Sequence, residues 1–156
     1  MFLKPVSLQE YETFAKGHFE KAKKEIADGV VRAIYERFDG TTWYLQKVLN
    51  QLFATKDSVV ISDVGRAVEQ IINQNEEGYK DILYLLTARQ RDLLVAISKE
   101  GKAKQITGSP FIKRYHLTSA SSVQKSVQAL TEKQLLTHHQ GVYEVYDKFM
   151  SEWLRR

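Results

Sequence analysis

Apolar residues recur along most of this chain at three- and four-residue intervals, the period of a helix that buries one face. Tyr11, Phe14, Ala15, His18 and Phe19 follow that period behind Ser7-x-x-Glu10, a capping box, so a helix is expected to run from there to about Phe19. Ahead of it FLKPV, residues 2–6, is broken by Pro5 and reads as an extended lead-in. A second helix is expected over Lys21 to Phe38, with Val30, Val31, Ile34, Tyr35 and Phe38 inward. Gly29 offers a break near Asp28, and carrying the helix through it would cost ~1 kcal/mol relative to Ala. A turn at Asp39 to Thr42 leads to a third helix ending near Ala54, whose Trp43, Tyr44 and Phe53 read as core. Val59, Val60 and Ile61 are β-branched and fit either a short strand or the approach to a helix capped by Ser62-Asp63 and ending at Asn73. The polar run from Asn73 to Gly78 is the clearest internal seam, which predicts domains at 1–78 and 79–156.

Beyond the seam, Tyr79 to Leu86 forms one or two apolar turns. Thr87-x-x-Gln90 is another capping box, opening a helix with Leu93, Leu94 and Ile97 inward and Gly101 as its C-cap. A basic connection, Lys102 to Gly108, precedes Ser109-Pro110, where an N-cap followed by proline starts a short helix burying Phe111, Ile112 and Tyr115. Residues 117–134, LTSASSVQKSVQALTEKQ, then place Val123, Val127 and Leu130 on one helical face, with Ser121 and Gln124 in capping-box relation. The opposite face carries Ser122, Lys125, Gln128 and Glu132. Two short runs flanking Gln140-Gly141 read as a β-hairpin, and a last helix, Asp147 to Arg156, buries Phe149, Trp153 and Leu154. Helix, short helix, helix, hairpin, helix is the order of a winged helix-turn-helix domain. The predicted class is therefore mainly α: a small helical bundle followed by a winged helix-turn-helix domain with a short β-hairpin.

Charge changes this picture modestly. The net charge is +4, and it is uneven: residues 1–80 hold 11 Lys and Arg against 12 Asp and Glu, residues 81–156 hold 12 against 7. An anionic partner is thus expected at the C-terminal half. The chain has no cysteine, which excludes disulfides, thiolate metal sites and Cys nucleophiles. The longest central apolar run, Ile82 to Leu86, is far short of the ~20 residues that span a bilayer. The first residues show no apolar signal core, so a cytoplasmic protein without a membrane partner is expected.

No enzyme constellation stands out. A GxxxxGK[ST] loop is absent. His138 and His139 are adjacent on an expected strand and would point to opposite faces, a poor metal pair. The residues suited to nucleic acid are Lys102, Lys104, Lys113, Arg114, Ser121, Ser122, Gln124, Lys125, Gln128 and Lys133. The cations suit phosphates, while Ser and Gln suit base edges or phosphates. The reading face has one central cation, Lys125, and the wing tip at His139 to Gly141 has none, so duplex DNA and a protein partner stay equally open.

FLKPVSLQEYETFAKGHF, FDGTTWYLQKVLNQLF and the C-terminal helices and hairpin together resemble the C-terminal part of archaeal-type P-loop ATPases of the AAA+/STAND group. There a nucleotide-binding core is followed by a small helical lid and a winged helix. Gly40, Tyr44 and Gln46 are similar to the glycine-led lid helix, LLTARQRDLLVAISKEG to the first winged-domain helix, and SASSVQKSVQALTEKQLL to the recognition helix. The resemblance implies that this chain is a piece of a longer ATPase. ATP and magnesium would belong to the missing core. The winged helix would bind DNA, a partner or that core in a nucleotide-dependent way. No arginine occurs between Thr42 and Arg66, so the lid segment itself is not expected to touch nucleotide. A free-standing transcription regulator and a pure protein-interaction or autoinhibitory module are the alternatives.

Overall fold

The computed structural model describes residues 7–156 and divides the chain into two compact units between Asn73 and Gln74. The expected lead-in at residues 2–6 lies outside the described residues.

The first unit begins with α1, Leu8–Lys21, whose N-cap Ser7 accepts from the Glu10 N–H. Tyr11, Ala15 and Phe19 are buried, four residues apart, but Phe14 is exposed and stacks on His18 instead of entering the core. The expected helix from Lys21 to Phe38 is not continuous. Lys23 takes a left-handed φ of 58°, strand β1 occupies Glu25–Ile26, and α2 spans only Val30–Arg37 after Gly29 at φ 88°. Helix propensity loses here to strand pairing: Glu25 and Ala27 donate their N–H groups to the carbonyls of Asp57 and Val59. After α3, Thr42–Thr55, strand β2, Ser58–Val59, lies parallel to β1 in the register Glu25–Ser58 and Ile26–Val59. Of the β-branched run, only Val59 is therefore strand.

Helix α4, Ser62–Gln74, buries Val64, Ala67, Val68, Ile71 and Ile72. Its first turn holds Asp63, a buried carboxylate that accepts from Lys56 Nζ at 2.8 Å and from the Val60 N–H at 2.9 Å. The Lys56 hydrogen bond, reinforced by the Val60 N–H, holds this carboxyl below its ordinary pKa. Trp43 departs from its expected core position. It is 60% exposed and packs edge-on against Tyr44, while Tyr44 is buried and stacks on Phe38 at 5.1 Å.

The second unit opens with α5, Glu76–Tyr84, and α6, Ala88–Glu100. Arg91 joins them by donating to the Leu83 and Leu86 carbonyls. The capping box at Thr87 and Gln90 forms in both directions, and Gly101 caps the far end at φ 77°. Strand β3, Ala103–Lys104, lies in the expected basic connection. Helix α7, Ser109–Arg114, is capped by Gly108 rather than Ser109, with proline inside the first turn where its missing N–H costs nothing. Helix α8, Ala120–Glu132, starts two residues earlier than expected. Its cap is Ser119, whose hydroxyl accepts from the Ser122 N–H, so Ser121 lies within the helix.

Strands β4, Leu136–His139, and β5, Val142–Val145, form the hairpin, and β3 adds to its other edge in the antiparallel order β3-β5-β4. Gln140 and Gly141 both take positive φ, 50° and 79°, which suits the primed turn that a two-residue hairpin favours. Helix α9, Lys148–Leu154, is capped by Asp147 and packs Phe149, Met150 and Leu154 inward. Trp153, expected as core, is half-buried. It donates to Glu76 at 3.2 Å and lies 5.4 Å from the Tyr79 ring. Helices α6 and α8 supply the centre of this unit, where Leu94, Ile97 and Leu130 have no exposed surface. Mainly helical, with a three-strand antiparallel sheet behind three helices, this is a winged helix-turn-helix arrangement.

Candidate nucleic-acid interface

Helix α8 has two faces because its apolar residues fall at the helical period. Val123, Val127 and Leu130 are buried, and Ser126 shares their face. Ser121, Lys125, Gln128 and Glu132 stand at i, i+4, i+7 and i+11, so they form one exposed stripe with Gln124 at its edge. Within it Gln128 donates to Glu132 at 3.5 Å and the Ser121 hydroxyl shares a hydrogen bond with that of Ser119 at 3.2 Å, while Gln124 and Lys125 have no bonded partner among the described residues. The exposed face carries no large apolar side chain.

The other predicted residues disperse. Lys133 is the C-cap at the far end of α8, and Ser122 is half-buried, turned toward α6. Lys113 and Arg114 close α7, but only Lys113 reaches solvent without an ion-pair partner among the described residues. Arg114 pairs with Glu100 at the end of α6, and Tyr115 donates its hydroxyl to the same carboxylate at 2.8 Å. The Tyr115 hydrogen bond, with Arg114 beside it, holds Glu100 below the ordinary carboxylate pKa. Burial, and then the Glu100 bond, raises Tyr115 in turn. Lys102 and Lys104 lie on or beside β3.

Sequence reasoning missed what stands opposite the start of α8. An open cleft of about 270 Å³ separates the N-terminal turns of α6 and α8. Thr87, Arg89 and Gln90 line it from α6; Ser119, Ser121, Ser122, Lys125 and Ser126 line it from α8. No acidic residue lines this cleft, and neither helix has one in its first turn. The capping box that starts α6 was a readable signal, but nothing in the linear pattern says that Arg89 faces α8.

The wing contributes aromatic surface. His138 opposes Tyr143 in the ladder and stacks on it at 4.1 Å, with the rings parallel to within 1°. In the first unit the lid-like residues do not make one site. Gly40, at φ 73°, turns the chain so close to Tyr35 that a Cβ there would come within 2.9 Å of its ring. Tyr44 is buried against Phe38, and Gln46 is exposed.

A family model described as a probable winged helix domain matches residues 77–156. The chain belongs to this winged-helix family. No curated protein matches it. The winged helix accounts for the part of the chain that holds α8, the cleft and the wing. It is a recognition scaffold rather than a catalytic one. No helix among the described residues is long and apolar enough to cross a membrane.

Proposed function

We propose that the winged-helix unit recognises double-stranded DNA, with α8 in the major groove. The observation that carries this reading is the chemistry of the exposed face of α8. Ser121, Gln124, Lys125 and Gln128 present donors and acceptors, and no large apolar side chain interrupts them. A helix that docks into a protein groove does so through apolar anchors at i, i+3, i+4 and i+7. A major groove instead offers base edges to Gln and Ser, and phosphates to Lys. Lys113 on α7 is placed among the residues that would position the domain on the backbone, and Lys102, Lys104 and Lys133 would add to the attractive field.

The first unit is proposed as the lid of a P-loop ATPase, on the resemblance of the stretches around Gly40, Tyr44 and Gln46. In that setting ATP and magnesium bind a core outside this chain, and nucleotide state regulates where the winged helix is presented. The purified chain then neither binds nor hydrolyses ATP, and turnover by it would contradict this parentage.

Duplex binding measured across a salt series tests the DNA reading. Affinity is expected to fall steeply with salt, and the pair Lys113→Ala and Lys125→Ala should reduce the logarithmic slope by ~1 per lost phosphate contact. Undetectable binding at low ionic strength, or binding indifferent to salt, contradicts it and leaves protein recognition as the reading.

A further inference from the structure

We propose that Glu100 is an intramolecular stand-in for a DNA phosphate, closing a backbone-contact position that Arg114 and Tyr115 form at the end of α7. The identity of the phosphate rests on the DNA reading above; the closed contact itself rests on three observations.

First, these donors already hold an oxyanion. The Arg114 guanidinium donates through Nη1 to Oε1 of Glu100, and the Tyr115 hydroxyl donates to the same oxygen at 2.8 Å. Arginine and tyrosine side chains are among the groups that bind backbone phosphates, and a guanidinium takes carboxylate and phosphate with the same fork. The bound carboxylate shows the class of ligand this pair accepts.

Second, the contact is open on its cationic side. The Arg114 side chain is 61% exposed and that of Glu100 is 23% exposed. An ion pair with its cation in water adds little to the fold, so it can be undone without undoing the unit. The Tyr115 bond, and then Arg114, keep Glu100 below the ordinary carboxylate pKa, so the anion is in place at neutral pH.

Third, Arg114 stands on the helix from which a phosphate contact is expected. It follows Lys113 in the last turn of α7, and the first helix of a helix-turn-helix pair crosses the DNA backbone when the second enters the major groove. A phosphate reaching Arg114 would meet a carboxylate fixed by Tyr115, and like charges at contact distance repel. Glu100 therefore removes one phosphate contact from the domain. Backbone contacts carry no sequence information, so the loss falls on every duplex alike and restrains non-specific binding with the rest.

Salt dependence of duplex binding by the full chain, run as a double-variant cycle of Glu100→Gln and Arg114→Ala, is the test. Glu100→Gln keeps the side-chain shape and removes the anion. It should tighten binding severalfold, on preferred and random duplexes alike, and steepen the logarithmic salt slope by ~1. In the Arg114→Ala background the same substitution should leave the slope unchanged, which separates release of Arg114 from the loss of a negative charge. Retention on heparin, a polyanion without bases, is measured in parallel. A gain on both, confined to the background that keeps Arg114, supports the closed contact and a DNA phosphate. A gain on heparin without duplex binding by any variant supports the closed contact and overturns the DNA reading. Duplex binding with no gain in folded Glu100→Gln, or an equal gain in both backgrounds, overturns the contact and leaves the DNA reading standing. No gain on heparin and no duplex binding overturns both. Should Glu100→Gln unfold, side-chain NMR of Arg114 in the parent decides. Its resonances should hold as duplex or heparin is added, and a shift would show the position already open and overturn the proposal.

Discussion

The two ends of helix α6 meet their neighbours in opposite ways. At the C-terminal end Glu100 accepts from both Arg114 and Tyr115, so the cation that α7 brings is neutralised inside the fold. At the N-terminal end Arg89 faces the hydroxyls and Lys125 of α8, and no carboxylate lines the space between them. Both ends carry an arginine near a tyrosine or serine hydroxyl, and composition alone treats the two arginines alike. What separates them is that Glu100 bonds Arg114, whereas Asp92, one turn along from Arg89, lines an adjoining hollow and is not bonded to it. A count of basic residues therefore overstates the surface that can attract an anion, and geometry decides which cations remain available.

Removing the support shared by both ends has the largest expected effect. Leu94 has no exposed surface and sits midway along α6. Leu94→Ala should cost about 3 kcal/mol. For a unit of this size that lowers the thermal midpoint by roughly 10–20 °C. A loss under about 1 kcal/mol in thermal or urea unfolding would show that α6 is not the common support. Thr87→Ala acts on the open end alone. It deletes one side of the capping box and should cost about 1 kcal/mol, with the amides of the first turn of α6 exchanging faster in hydrogen–deuterium exchange while those near Glu100 stay protected. Equal loss at both ends would blur the contrast.

The smallest effect belongs to the closed end and appears only in acid. Glu100 is held below its ordinary pKa, so the stability it contributes is fully present above the normal glutamate range. It is lost as pH falls through the depressed folded value. Glu100→Gln removes that dependence, and the variant's unfolding midpoint should change less than the parent's between about pH 5 and pH 3. Parallel curves would mean that Glu100 does not titrate as an ion-paired group.

The winged-helix unit was legible because its elements carry strong local signals. The Thr87–Gln90 capping box, Gly101 past the end of α6, and the Gln140-Gly141 turn each specify a boundary with few neighbours involved. The first unit was less so. Its strands are two residues long and pair in parallel across more than thirty residues, so no alternation exists to announce them. The stretch from Lys21 to Gly29 looks helical by composition and is diverted by hydrogen bonds to residues 57–59. Trp43 and Phe14 fall on the helical period yet lie exposed, because periodicity marks a face and not what covers it. Among the candidate binding residues, Lys125 and Gln128 lie exposed with Glu132 as their spacing implies, but Ser122, expected beside them, is half-buried and Ser121 stands in its place. The neutralised state of Arg114 and the inclusion of Arg89 did not follow from spacing, since both depend on which helix ends meet in space.

The contrast between the two ends is tested most directly by the salt dependence of duplex binding in two single variants. Lys125→Ala should weaken binding about tenfold and lower the logarithmic salt slope by ~1. Arg114→Ala, which removes a cation already paired with Glu100, should leave the slope unchanged. Equal slope losses in the two variants would contradict the account, because Arg114 would then be meeting phosphate despite its partner.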